Sequence, residues 1–442
     1  MGQLSSAGRW CVIGAGPSGL SVARQLSAAG VDLECLDAQD QVGGNWYLRG
    51  PRSSVCHSTH LISSKRMTEF PDFPMPADYP AYPRQDQVWH YLNSYADHFQ
   101  LRPLIRHGVL VERVVHERGE WAVTVAGESS PRLYDGLVVA NGHHWDPIRP
   151  SWAGDFAGEL LTARDYKWPD QLRGRRVLVV GAGNSGCDLA VEAATHAATS
   201  TLSMRRGYYF FPKFLCGLPA DVTTKWLDGF RVPLALRRLA GRIMLRVSVG
   251  PLERYGLPRP DHRLFETHPI VNSQLLYAVG HGRVKIRPDV HRVDGRLVEF
   301  VDGTREEFDT IVLATGYRLT IPFLDSSYLN THDGLPSLYL HAFHPDRDDL
   351  MVAGMIQPNG GQWPLTDAQA RILVGYLSAR EAGLPVANEF RKARSTVSSV
   401  PNGGIRFDRS SRHRIEVDYF DYLRACRNWE RRFARSLQRS PR

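Results

Sequence analysis

Two short runs in this chain combine residue types suited to holding a pyrophosphate. The first is Trp10-Cys11-Val12-Ile13-Gly14-Ala15-Gly16-Pro17-Ser18-Gly19, and the second is Arg176-Val177-Leu178-Val179-Val180-Gly181-Ala182-Gly183-Asn184-Ser185-Gly186. In each, an apolar strand runs into a glycine turn and then into an alanine-rich helix. The first glycine permits a tight turn, the second lets backbone approach a pyrophosphate, and the third lets helix pack on strand. The phosphates then meet free N–H groups at the helix N-terminus. A single motif of this kind is weak, because glycines cluster in many loops. A pair points to two dinucleotide sites, an arrangement in which electrons can pass from one cofactor to another.

The end of the second strand in each unit tells the two sites apart. After the first motif it is Asp37, whose carboxylate accepts hydrogen bonds from a ribose diol and repels a 2′-phosphate. After the second it is Met204-Arg205-Arg206, and a guanidinium there binds a 2′-phosphate in bidentate fashion. The first site is therefore expected to hold the adenosine half of FAD, with Gly14, Ala15, Gly16, Pro17, Ser18, Gly19 and Asp37 in contact. The second is expected to hold NADPH, with Gly181, Gly183, Asn184, Ser185, Gly186, Asp188, Arg205 and Arg206.

The elements that must position these residues follow from periodicity and breakers. A strand over 10–13, a helix over 17–29 ended by Gly30, and a strand over 31–36 open a doubly wound sheet. Residues 51–83 are proline-rich and irregular, an excursion of the kind that is usually functional. A helix is expected over 86–99, where Val88, Leu92, Tyr95 and Phe99 share a face, and short strands over 109–139. Two similar stretches, ending in Ala140-Asn141-Gly142 and Ala314-Thr315-Gly316, read as crossings between domains. The expected fold is α/β with two Rossmann-like dinucleotide-binding domains, the NADPH domain inserted into the FAD domain. Its parts are 1–164 (FAD, first part), 165–310 (NADPH) and 311–442 (FAD, second part, with a basic C-terminal tail).

Bulk properties exclude several classes. The 442 residues are 43% hydrophobic and 23% charged, ordinary for a globular protein, and no run approaches the length of a membrane-spanning helix. Six cysteines at 11, 35, 56, 187, 216 and 426 form no CxxC pair, so zinc ribbons, dithiol centres and a flavin disulfide reductase are unsupported. A reducing, cytoplasmic setting is expected. The N-terminal Met1-Gly2-Gln3-Leu4-Ser5-Ser6 fits the loose N-myristoylation pattern. The net charge of +8 arises largely from Arg231–Arg246, which reads as a basic amphipathic helix, and from the arginine-rich 424–442. These predict a solvated surface, with at most loose contact with an anionic membrane surface and no nucleic-acid binding. A homodimer remains open. His143-His144 is read as hinge packing rather than a metal site, Glu266 to Gln274 as helix capping or cleft lining, and Trp46 and Trp363 as flavin walls or core.

Further motifs are specific: Gly43-Gly44-Asn45-Trp46, Ser63-Ser64-Lys65, Phe70-Pro71-Asp72-Phe73-Pro74, Phe156-Ala157-Gly158 through Arg164-Asp165-Tyr166-Lys167, Ala314-Thr315-Gly316-Tyr317 and Gln357-Pro358 with Pro364. Together with the two glycine motifs, over nearly the whole chain, they resemble the flavin-containing monooxygenases, especially bacterial members. The resemblance implies that Gly44, Asn45, Trp46, Thr315, Gly316 and Gln357 contact cofactor. It also implies the reaction: NADPH reduces FAD, dioxygen adds to give a C4a-(hydro)peroxyflavin, and one oxygen atom passes to an amine nitrogen or sulfur of a small-molecule substrate. The flavin carries the hard chemistry, which accounts for the lack of a Ser-His-Asp or paired-carboxylate set.

Two positions depart from the family pattern. The fingerprint histidine falls on Thr162, and the active-site asparagine that supports the flavin–oxygen adduct falls on Ile62. Isoleucine has no hydrogen-bonding group, so Ser63, Ser64 and His60 are the candidates for that catalytic role. The departures leave open Baeyer–Villiger or 2-oxo-acid oxygenation, an uncoupled NADPH oxidase, and a non-catalytic flavin redox sensor.

Overall fold

In the computed structural model, described residues are 4, 7–223, 232–332, 335–396, 400–408 and 413–439. Gly2 of the myristoylation pattern, Arg231 and the last three residues of the basic tail lie outside them.

Two five-stranded parallel sheets organise the chain. Their strands are β1 (Arg9–Ile13), β2 (Asp32–Leu36), β3 (Ile105–Arg106), β4 (Gly136–Val139), β5 (Glu159–Thr162), β6 (Arg176–Val180), β7 (Thr199–Ser203), β8 (Val284–Arg287), β9 (Thr310–Leu313) and β10 (Leu350–Val352). The first sheet runs β10-β4-β1-β2-β3, and the second β8-β7-β6-β9-β5. Both place a glycine-motif strand at the centre, the next strand on one side and a returning strand on the other, as doubly wound sheets do. The α/β class with two Rossmann-like units is thus present. The strands read as near-continuous apolar runs (Cys11-Val12-Ile13, Val177-Leu178-Val179-Val180) because both faces of a parallel sheet are covered.

The two units repeat each other in their additions. A three-stranded antiparallel excursion precedes β4, over Val111–Glu117, Glu120–Val125 and Arg132–Tyr134. Another precedes β9, over Val290–Asp294, Leu297–Phe300 and Arg305–Glu307. The outer strands differ in origin. β10 comes to the first sheet from far downstream, whereas β5 precedes its own glycine strand. The crossing into the second sheet therefore falls ahead of Glu159, a few residues before the expected 165.

Helices α1 (Pro17–Ala28) and α2 (Asn184–His196) follow the glycine turns. Next come α3 (Leu234–Ser248), α4 (Trp363–Glu381) and α5 (Tyr419–Arg439). The expected helix over 86–99 is observed as Gln85–His98. α4 is buried on nearly all sides, packed between α1 and α5. Its one buried carboxylate, Asp367, accepts from Gln25 at 2.7 Å and ion-pairs with Arg371, which satisfies a charge that burial would otherwise penalise. Among the described residues no helix is long and apolar enough to cross a membrane. All six cysteines are free, and only Cys216 is exposed.

Candidate active site

The two glycine turns are built alike. Gly14 has φ of +111° and Gly181 of +105°, conformations that exclude an ordinary side chain. A Cβ on Gly19 would overlap the Gly14 carbonyl oxygen, and one on Gly186 would overlap that of Gly181. Neither Gly16 nor Gly183, the residue ahead of each helix, supplies a side-chain cap, so the first N–H groups of α1 and α2 are left for a ligand. Both turns thus fit a pyrophosphate.

Their surroundings differ. Asp37 is 6% exposed, accepts the Ala15 N–H at 2.5 Å and the Gln39 N–H at 2.7 Å, and lines the cavity described below. Burial raises its carboxyl above the usual range, and the two backbone N–H groups oppose that rise. In the second unit Arg205 is exposed. Arg206, by contrast, is committed to protein, with Asp261 at 2.7 Å and Asp408 at 3.0 Å. The sequence pair therefore separates into one guanidinium facing solvent and one holding structure.

Both turns open into one cavity of about 860 Å³. Gly14, Gly16, Pro17, Ser18, Asp37, Gly44, Asn45 and Trp46 line it from the first unit, Gly183, Asn184, Ser185 and Asp188 from the second, and Gly316 and Gln357 from the returning chain. Ala15, Gly19, Gly181, Gly186, Arg205, Arg206 and Thr315 do not line it. Thr315 donates instead to the Ile148 carbonyl at 2.5 Å. Trp363 lines the cavity edge-on to Trp46, with ring centroids 6.3 Å apart, and stacks on Tyr91 at 5.9 Å. The two tryptophans thus serve as wall and core together.

Ile62 is 39% exposed and lines the cavity with His60 and Ser63. Partial burial lowers the His60 imidazole pKa. Ser64 does not reach the cavity. It is 1% exposed, and its N–H donates to Asp221 at 2.6 Å. Asp188, on α2, is exposed to the cavity it lines. Crowding by protein pushes its carboxyl up to about 6, against Lys213 and the 2.6 Å hydrogen bond from Asn272, which lower it. Burial pushes His143 down to about 4, so this cavity-lining imidazole is neutral. Among the described residues no group of three His, Cys, Asp or Glu is placed to hold a metal.

Thr162 does not reach the cavity either. It is fully buried in β5, and its N–H and hydroxyl both bond Asp165, at 3.0 and 2.6 Å. The fingerprint segment is a tether. Tyr166 donates to Glu192 at 3.2 Å, Arg164 to the Trp145 and Pro51 carbonyls, and Lys167 to the Ser53 and Val55 carbonyls. The 266–274 segment both lines and braces. His268 faces the cavity, while Asn272 accepts the Leu275 N–H at 2.8 Å at the start of the next helix.

Sequence reading missed Asp221 and Glu416. Glu416 is buried among Gln357 (3.0 Å), His413 (3.1 Å) and His268 (3.5 Å). Burial alone would raise its carboxyl, but the two histidines outweigh that and hold it low. Asp221 bonds a residue 157 positions away, so no local spacing announces it, and Glu416, though it meets His413 three positions back, also bonds a residue 59 away.

Two doubly wound sheets facing one cavity define an α/β protein of the two-dinucleotide kind. The model of the flavin-binding monooxygenase-like family matches residues 7–429. Human flavin-containing monooxygenase 5 is 33% identical over 437 residues, covering 94% of this chain and 81% of that protein. Rabbit dimethylaniline monooxygenase (N-oxide-forming) 2 is 30% identical over 438 residues, covering 93% and 80%. Among solved structures, a flavin-containing monooxygenase from Stenotrophomonas maltophilia superposes with a TM-score of 0.65 at 23% identity, covering 86% of this chain and 99% of its own. The open form of cyclohexanone monooxygenase gives 0.68 at 18% identity, covering 98% of each chain. These structures share the fold. The chain belongs to the flavin-binding monooxygenase-like family and is an FAD- and NADPH-dependent flavin monooxygenase.

Proposed function

We propose that this enzyme oxygenates a soft nucleophile, an amine nitrogen or a sulfur, in a small organic substrate. The observation that carries the reading is one cavity entered by two uncapped glycine-turn helices, walled by Trp46 and Trp363. The relative named for N-oxide formation, 30% identical over 93% of this chain, supports nitrogen as acceptor. In this reading the first sheet carries FAD, on Gly14 to Gly19, Asp37 and Gly44 to Trp46. The inserted unit carries NADPH, on Gly183 to Asp188 with Arg205 at the 2′-phosphate. Thr315 and Gly316 lie at the return crossing, and Gln357 beside the flavin. Bound there, the flavin supplies electron transfer and oxygen activation that side chains lack. The chain's own groups orient the cofactors, exclude water with apolar walls, and offer hydrogen bonds from Ser63 and His60 beside Ile62. Ser64 would act only through its backbone.

A second reading, NADPH oxidation that releases peroxide, is favoured by Ile62, which presents a hydrocarbon to the cavity. We further propose a cytoplasmic setting, supported by six free cysteines. Loose contact with an anionic membrane surface is supported by exposed Leu236, Leu239, Ile243 and Val247 on α3 beside Arg242 and Arg246. The test of the main reading is anaerobic. The purified protein should be yellow and bleach on adding NADPH, and a colourless protein indifferent to NADPH overturns it.

A further inference from the structure

A second, smaller pocket of about 310 Å³ lies between the Leu48–Ser53 loop and the Arg164–Trp168 segment, apart from the large cavity. Its wall carries three cationic side chains, Arg49, Arg164 and Lys167, against one carboxylate, Asp165, with Ser53 and Trp168 completing it. The cations meet neutral partners. Arg164 donates to the Trp145 carbonyl at 2.8 Å and to that of Pro51, and Lys167 Nζ donates to the Ser53 and Val55 carbonyls at 2.8 and 2.9 Å. Asp165 turns one oxygen to Thr162, accepting its N–H and hydroxyl. Among the described residues no carboxylate ion-pairs with Arg49, Arg164 or Lys167.

A part-buried cation without a counter-charge is costly. Burial, opposed by Cys56 and Asp165 and reinforced by neighbouring Arg164, pushes the Lys167 ammonium down to about 8. An ammonium carries three donors and a guanidinium five, so one proton of Lys167 and most of the Arg164 fork remain for a ligand. Fork and ammonium together match the oxygens of a phosphate group.

We propose that this pocket binds a phosphate oxyanion, held by Arg49, Arg164 and Lys167. The site would couple to the large cavity through the loop it grips. Ser53 donates to the Asn45 carbonyl at 2.7 Å, and the Ser54 N–H to the Asn45 side chain at 2.7 Å, so an occupied pocket stiffens the segment that presents Asn45 and Trp46. The proposal does not depend on the substrate assigned to the large cavity.

The experiment is calorimetry of the FAD-loaded full chain with inorganic phosphate, at constant ionic strength set by potassium chloride. One site is expected, accompanied by a rise in melting temperature that chloride does not give. Arg49→Gln removes an exposed charge without a structural partner and should weaken phosphate about tenfold. Lys167→Gln should act alike; if it does not fold, Arg49→Gln and the pH dependence decide. Between about pH 8 and 9, where phosphate is already largely the dianion, affinity should fall as Lys167 loses its proton, with Arg164, Asp165 and Cys56 the other titratable groups facing it. Saturating NADP+ separates free phosphate from the phosphates of a dinucleotide, and binding should persist in its presence. Heat no greater than chloride's, unchanged affinity in Arg49→Gln, or loss of binding with NADP+ overturns the proposal.

Discussion

Asp37 accepts the backbone N–H of Ala15 at 2.5 Å, so the acid that ends the second strand is locked onto the first glycine turn. Among the described residues the second unit shows no such lock. Its strand ends at Ser203, and Met204 is followed by an exposed Arg205 and an Arg206 ion-paired with Asp261 and Asp408. The two arginines should therefore separate on mutation. Arg205→Ala is expected to weaken NADPH by about 10- to 100-fold with little effect on NADH, the loss of one charge-assisted contact. Arg206→Ala is expected to lower melting temperature. Steady-state KM for both nucleotides, with a melting curve for each variant, checks this. Equal loss of NADPH and NADH in Arg205→Ala contradicts it.

Gly186→Ala should damage one site and spare the other. The added Cβ overlaps the Gly181 carbonyl oxygen, a clash with backbone that costs about 2–3 kcal/mol or opens the turn. Flavin content should stay near wild type while reduction by NADPH slows. Gly19→Ala should instead lose flavin. Absorbance of the purified proteins and stopped-flow reduction read the two outcomes.

Thr162 and Ile62, the two departures from the family pattern, have different consequences. Thr162→Val removes a 2.6 Å hydrogen bond to Asp165 inside the second unit and should cost about 1–2 kcal/mol of stability, with no change in peroxide yield. Ile62→Asn places an amide on the cavity wall, and peroxide released per NADPH should fall. Peroxide assays on both variants test the distinction. A change in Thr162→Val, or none in Ile62→Asn, defeats it.

Asp188 gives a pH signature. Its native carboxyl lies near 6 against an ordinary value near 4, so the folded state binds the extra proton and wild-type stability falls as pH rises through that window. Asp188→Asn removes the penalty. The variant should melt higher than wild type above about pH 6 and converge with it below about pH 4. Melting curves across pH 4–8 decide.

The glycine motifs and the helix over 85–98 were legible because each is local: a turn residue, an apolar run or a 3.6-residue period. Asp37 was legible by its distance from Gly14. Arg205 and Arg206 could not be told apart, because the carboxylates that claim Arg206 come from 261 and 408. Thr162 read as a loss at the active site, whereas its place inside a sheet strand, set by pairing with β9, removes it from the cavity. Ser64 read like Ser63, but the short helical turn that begins at Lys65 turns it inward. Asp221 carries no local signature, and the His413–Glu416 spacing gains a role only when distant Gln357 and His268 meet it.

The most direct measurement of the central claim is the stoichiometry of NADPH oxidation under labelled dioxygen, with a tertiary amine and a thioether as substrates. We expect N-oxide or sulfoxide carrying one labelled oxygen per NADPH consumed. NADPH consumption with only peroxide as product, from either substrate, would contradict it.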